Sequence, residues 1–178
     1  MTPPVDLTSV PTSHRVTGDC SSKDRQHRDG VDIVHAIVDD PSRLAYAEIH
    51  DNQKAATVVA FLQRALAFYA SHGITAKRLM TDNGWQYARS RELRLLLERR
   101  QIRHLKAQPY RPRTNGKVER FHQTVAREWA YGLLYGSHRE RANALPHWLN
   151  HYNAHRPHSS IGGAPPISRV HNVHGHNS

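Results

Sequence analysis

The sequence holds a single cysteine, Cys20, so it closes no internal disulfide and cannot supply a cysteine-rich zinc module. Long apolar runs are missing as well. No stretch approaches the roughly 18 apolar residues that cross a bilayer, and the mean hydropathy is −0.72. The start, Met1-Thr2-Pro3-Pro4-Val5-Asp6, lacks the charged-then-apolar pattern of a signal peptide. A membrane role and a secreted disulfide scaffold are therefore not expected, and a cytoplasmic location is. Acidic residues are scarce: 15 Asp and Glu stand against 25 Lys and Arg, a formal charge of +10, with 15 histidines uncharged in that count. Such a surface attracts polyanions, of which nucleic acid is the commonest. At 178 residues the chain can bury one proper core, not two sizeable ones.

Hydropathy patterning divides the chain into three stretches. Residues 1–30 are rich in Pro, Ser, Thr and mixed charge and read as a poorly ordered arm, with one short strand at 5–10. Residues 31–136 carry the regular pattern. The β-branched run 33–38 predicts a strand, Asp39-Asp40-Pro41-Ser42 a turn, and 43–49 the returning strand of a hairpin. Asp51 is placed to cap a helix over 52–72, with Val58, Phe61, Leu62, Ala65, Phe68 and Tyr69 as its buried stripe and Gly73 as its stop. A strand at 77–81, a helix at 91–100 and a strand at 102–105 follow. The basic, Pro- and Gly-containing segment 108–116 reads as irregular, and a long helix is expected from Lys117. Residues 137–178 add a helix near 141–152 and a Gly-, Pro- and His-rich tail. The order predicts an α/β sheet of mixed strand direction flanked by helices, with a C-terminal helical extension.

Two acidic residues stand where chemistry could be done. Asp82 follows a buried strand, and in open α/β sheets that end faces the functional crevice. Glu119 lies in what reads as the first turn of a helix, beside the cations Lys117 and Arg120. Taken alone, Asp82 is also an ordinary turn former, and Glu119 an ordinary acid favoured by a helix dipole. His151 and His155 share a helical spacing but lack the partners of a zinc motif.

Thr81-Asp82-Asn83-Gly84, followed by Pro109-Tyr110-Arg111-Pro112-Arg113-Thr114-Asn115-Gly116-Lys117-Val118-Glu119-Arg120, resembles the integrase catalytic core of insertion-sequence transposases and retroviral integrases. The likeness runs on through Tyr152-Asn153-Ala154-His155-Arg156-Pro157-His158, Gly162-Gly163 and Pro165-Pro166, which resemble the bacterial transposases rather than the viral enzymes. It covers about residues 31–172. Thirty-six residues separate Asp82 from Glu119, one more than the family pattern.

The resemblance implies a ribonuclease-H-like fold on a mixed five-stranded sheet. It also implies a DDE polynucleotidyl transferase in which three carboxylates hold two Mg²⁺ or Mn²⁺ ions for strand cleavage and strand transfer. Asp82 and Glu119 match two of the three. Asp6, in a strand-like context, is the candidate for the first, with Asp19 and Asp24 as rivals. Arg111, Arg113, Asn115, Lys117 and Arg120 are implied as DNA contacts, Lys and Arg meeting phosphates without sequence choice. Transposon ends and target DNA are the implied partners, a homo-oligomer the implied active form, and the bacterial nucleoid the implied place. Nothing like a helix-turn-helix precedes Val31, so the chain is expected to be cut from a longer protein. Two alternatives stay open: a catalytically dead DNA-binding remnant, and a ribonuclease-H-like nuclease that only hydrolyses.

Overall fold

The computed structural model describes residues 5–8, 14–16, 32–81, 89–106 and 112–171, with side chains placed except at 5–8, 14–16, 32, 112–115 and 171. Among these residues there are six strands: β1 Val5–Thr8, β2 His14–Val16, β3 Asp32–Asp39, β4 Ala45–His50, β5 Ala76–Thr81 and β6 Arg103–Lys106. The helices are α1 Ala55–Ser71, α2 Arg91–Arg99, α3 Pro112–Val125, α4 His138–Ala154 and α5 Pro166–His171. A π-helical turn, Ala126–Ala130, prolongs α3, and a 3-10 turn, Ser159–Ile161, precedes α5.

All six strands share one sheet of mixed direction. β3 pairs antiparallel with β4 on one side. Its other side meets β2 through His14↔Val34 and β1 through Leu7↔Asp39, and the register slips by two residues between them. β1 then runs parallel to β5, and β5 parallel to β6. The expectation of five strands is corrected here. The first strand comes in two pieces laid along the same edge of β3, and a three-residue piece such as β2 offers no alternation to read.

At β3 the sheet is buried on both faces. Along β3 the side chains alternate, as a pleated strand requires. Val34, Ala36 and Val38 pack with Val118, Phe121, Val125 and Trp129 of α3 and its π turn, and with Leu145 and Tyr152 of α4. Ile37 packs on the opposite face, with Phe61, Leu62 and Tyr69 of α1 and with Leu93, Leu96 and Leu97 of α2. The result is a three-layer α/β/α arrangement. Ile161 and Val170 from the C-terminal tail are buried too, and Val170 joins the α1 side.

Two expected helix starts move. α1 is capped at Lys54 without a side-chain bond, not at Asp51. Asn52 does that work instead, its Oδ1 accepting from the Lys54 N–H at 3.0 Å and from Thr57 Oγ1 at 2.7 Å. α3 begins at Pro112, five residues before Lys117. Proline at the first helical position gives up an N–H that would be unsatisfied anyway, so the residue read as loop-forming starts the helix. Glu119 therefore sits in the third turn of α3, beyond the reach of the helix dipole. The stop of α1 at Gly73 is as expected, with φ at 74°.

Among the described residues β4 pairs with β3 alone, and Asn153 caps its far side at Ala45. Asn153 of α4 accepts from the Ala45 N–H at 2.9 Å and donates to the Ala45 carbonyl at 2.8 Å. One amide thereby stands in for a strand partner at the Ala45 end of the ladder.

Candidate active site and nucleic-acid interface

The sequence singled out three acids, and the fold treats them differently. Asp6 lies on β1, between β3 and β5, level with Arg78 of β5. Its side chain is outside the described residues, as is the whole of Asp82, which directly follows Thr81 at the end of β5. Glu119 is exposed on α3, and among the described residues its carboxylate has no ion-pair partner. Its helix neighbour Val118 is fully buried against the sheet, which fixes the roll of α3 and hence the direction of Glu119. Among the described residues no three His, Cys, Asp or Glu side chains form a group that could hold a metal ion. Oxygen-only donors such as these acids suit Mg²⁺ and Mn²⁺ in kind.

The basic residues also divide. Arg111 lies outside the described residues, and Arg113 and Asn115 are described by their helical backbone alone. Arg120 is exposed. Lys117 is half-buried and turned inward, its ammonium paired with Asp40 in the hairpin turn between β3 and β4. Asp40 also takes Arg43 Nη1 at 3.1 Å. Asp39, beside it, caps the turn expected over 39–42: its Oδ2 accepts from the Ser42 N–H at 2.9 Å. Burial pushes the Asp39 carboxyl above the usual carboxylate range, against the pull of the Ser42 bonds.

Beside this turn lies an open cavity of about 1030 Å³, bounded by α3 and its π turn, the hairpin turn and the segment after α4. Arg43, Lys117, Arg120, Arg127 and Arg156 all reach it. Arg156 is held by Glu128, with Nη2 to Oε1 at 2.7 Å and Nε to both oxygens at 3.1 Å. His158 lies at the wall, its ring edge-on to Tyr152 at 4.6 Å. Burial lowers the His158 pKa, and the nearby Arg156 lowers it further. Sequence reading quoted Arg156 and His158 within a motif and gave them no role. Arg43 and Arg127 carried no signal at all, because their meeting depends on contacts across the whole chain.

A second polar cluster lies on the α1 side. Glu48 of β4 accepts from Arg64 Nε and Nη2, each at 2.7 Å, from His50 Nε2 at 2.7 Å and from the Tyr46 hydroxyl. Burial works to raise the Glu48 pKa, but the bonds from Arg64, Tyr46 and His50 outweigh it and hold the carboxyl below its usual range. Every oxygen there is engaged, so this cluster ties β4 to α1 rather than presenting a reactive group.

Two integrase core domain models match the chain, one over residues 14–112 and the other over residues 100–166. A 39.2 kDa protein of insertion element IS476 from Xanthomonas euvesicatoria is 29% identical over 131 residues, covering 73% of this chain and 36% of that protein. A protein of Spiroplasma virus SpV1-C74 named as an integrase is 23% identical over 147 residues, covering 76% of this chain and 41% of its own length. The chain thus spans well under half the length of these two relatives. Among solved structures, the HTLV-2 integrase catalytic core domain in complex with magnesium, in a trimeric form, superposes with a TM-score of 0.66 at 17% identity, covering 94% of each chain. That likeness establishes the ribonuclease-H-like α/β fold. Because the first family model alone takes in more than half of the sequence, the chain belongs to the integrase core domain family.

Proposed function

We propose that this chain is the catalytic core of a transposase or integrase that cuts and joins DNA at phosphodiester bonds. The observation that carries the reading is the family match, which runs unbroken from residue 14 to 166 and includes the string 109–119 with its acid, Glu119. Asp6, Asp82 and Glu119 would hold two Mg²⁺ or Mn²⁺ ions, and the magnesium complex of the HTLV-2 core supports that choice of metal. Such ions activate an attacking oxygen and stabilise a leaving one during in-line displacement at phosphorus. The chain's own part is to position. α3 presents Glu119 from a rigid helix anchored by Val118, and Arg120, Arg111 and Arg113 would meet backbone phosphates. Water as nucleophile gives cleavage, and a DNA 3′-hydroxyl gives joining. DNA is the partner in this reading, and a homo-oligomer the active form.

The test is a labelled DNA duplex incubated with the chain and Mg²⁺ or Mn²⁺. Cleaved and joined products are expected from the wild type. Glu119→Gln is expected to remove both while DNA binding persists, because the amide keeps the shape and loses the charged ligand. Binding with no cleaved or joined product would point to a DNA-binding remnant. Cleavage with no joined product would point to a nuclease.

A further inference from the structure

We propose that His151 and His155, at the C-terminal end of α4, chelate a divalent transition metal ion of the imidazole-preferring kind, Zn²⁺, Ni²⁺ or Cu²⁺. The site is separate from the carboxylates proposed above for Mg²⁺ or Mn²⁺, and it does not depend on the DNA reading.

Placement is the first observation. His151 lies in the last turn of α4, and His155 directly follows its last residue, Ala154. The N–H groups of His155 and Arg156 both donate to the His151 carbonyl, each at 2.9 Å. These bonds tie the backbone of one histidine to that of the other, so the spacing of their side chains is set before any ligand arrives. Four helical residues rise about 6 Å. The two rings lie one above the other at that spacing, with centroids 6.1 Å apart and planes 30° apart.

The second observation is that both rings are open to solvent and uncommitted. Both side chains are exposed, and among the described residues neither imidazole has a hydrogen-bond or ion-pair partner. A neutral imidazole offers a lone pair on one of its nitrogens. Metal–nitrogen bonds of about 2.0–2.1 Å put two nitrogens on one tetrahedral ion roughly 3 Å apart. Rings at the observed separation reach that arrangement by rotation about their χ angles, which exposed side chains make readily. Nitrogen donors suit Zn²⁺, Ni²⁺ and Cu²⁺, whereas Mg²⁺ takes oxygen.

The surroundings supply the third. Arg156 is the cation next to His155, and Glu128 holds it with Nη2 to Oε1 at 2.7 Å, so a carboxylate offsets its repulsion of a second cation. His147 lies one turn before His151 and is exposed as well. Of these three histidines only His151 and His155 bring their rings together. His147 and His155 are two turns apart, roughly 12 Å along the axis, too far to share one ion. No third His, Cys, Asp or Glu joins the pair among the described residues. Water therefore fills the remaining positions on the ion, which makes this an open, exchangeable site rather than a closed structural one.

The experiment is a titration of the whole chain with zinc chloride, read by NMR on the histidine side chains. Each signal is identified by its loss in the matching alanine variant. The His151 and His155 signals are expected to shift together along one binding curve. In His151→Ala the His155 signal should need at least about tenfold more Zn²⁺ for the same shift, because the second ligand is no longer delivered by the same helix. His155→Ala should do the same to the His151 signal. His147→Ala should leave both curves as they are in the wild type, and Mg²⁺ at the same concentrations should move neither signal. All three side chains are exposed, so the variants should keep the wild-type circular dichroism. A His155 signal that titrates alike in the wild type and in His151→Ala would overturn chelation by the pair. Zinc shifts confined to other histidines, such as His171, His174 and His176 near the end of the chain, would overturn the site altogether.

Discussion

Asn153 and Arg156 are close in sequence and do different work. Asn153 makes two hydrogen bonds to Ala45 at the open side of β4, and no other described side chain replaces them. Asn153→Ala should cost about 1–3 kcal/mol, the range for leaving partly buried polar groups unmet. It should appear as a lower urea midpoint with an unchanged m-value. Asn153→Asp keeps the acceptor for the Ala45 N–H but sets a carboxylate oxygen against the Ala45 carbonyl, so it should not restore the wild-type midpoint. A wild-type midpoint in both variants would show that the clamp does not hold β4. Sequence alone reached the string Tyr152-Asn153-Ala154-His155-Arg156-Pro157-His158 and no further. The motif marks a family, but the partners that give each residue its task lie on β4, on the π turn and in the hairpin, over a hundred residues away in the case of Ala45. Glu119 could be singled out because it belongs to a contiguous string. Arg127 was not, because nothing local distinguishes it from a solvated arginine.

Two glycines on the α3 segment respond to the same change in opposite senses. At Gly116, inside α3, an added Cβ meets nothing within 4 Å. Gly116→Ala should therefore stabilise the fold by roughly 0.4–1 kcal/mol by restricting the unfolded chain. At Gly132, just past the π turn, a Cβ would lie 2.6 Å from the Arg127 carbonyl oxygen and 2.7 Å from that of Glu128. Those are backbone atoms at the end of a packed helix and cannot step aside. Gly132→Ala should destabilise by roughly 1–3 kcal/mol. Thermal melts of the two variants should bracket the wild type, and melts in the reverse order would refute the account of the π turn. Elements with a strong local pattern were readable to within a residue or two. The run 33–38 became β3, and 91–100 became α2, where Ser90 caps the helix by accepting from the Leu93 N–H at 3.0 Å. What failed was reading Pro as a stop. Pro112 and Pro166 each open a helix where composition suggested loop and tail.

The histidines make the whole molecule sensitive to mild acid. Burial lowers the pKa of His35, His104 and His158, in the last two helped by Lys106 and Arg156 respectively, and in His35 against a bond to the Asn52 carbonyl. The sign follows directly. Below their ordinary value near 6.5 the unfolded chain takes up protons that the folded chain resists, so stability is full above that pH and falls as pH drops. Each such group contributes at most about 1.4 kcal/mol per pH unit within its window. Glu48 extends the loss to lower pH, since its depressed carboxyl favours the fold only while ionised. Asp39 works in the opposite sense, its raised carboxyl favouring the fold while protonated. The urea midpoint should decline steadily from about pH 7.5 to 5, and a flat or rising midpoint over that range would contradict the burial of these rings.

The clamp on β4 also bears on the order in which the protein can be made. Ala45 and Asn153 are 108 positions apart, so at about 5–20 residues per second a ribosome needs on the order of 5–20 s to deliver the second after the first. Throughout that interval any hairpin that β3 and β4 form, marginal on its own, has the Ala45 end of its outer ladder open to another extended chain. Crowded polysomes would make neighbouring copies of the same hairpin the nearest such chains. Synthesis rate and chaperone supply, rather than the stability of the finished fold, would then set how much of this protein reaches its native state.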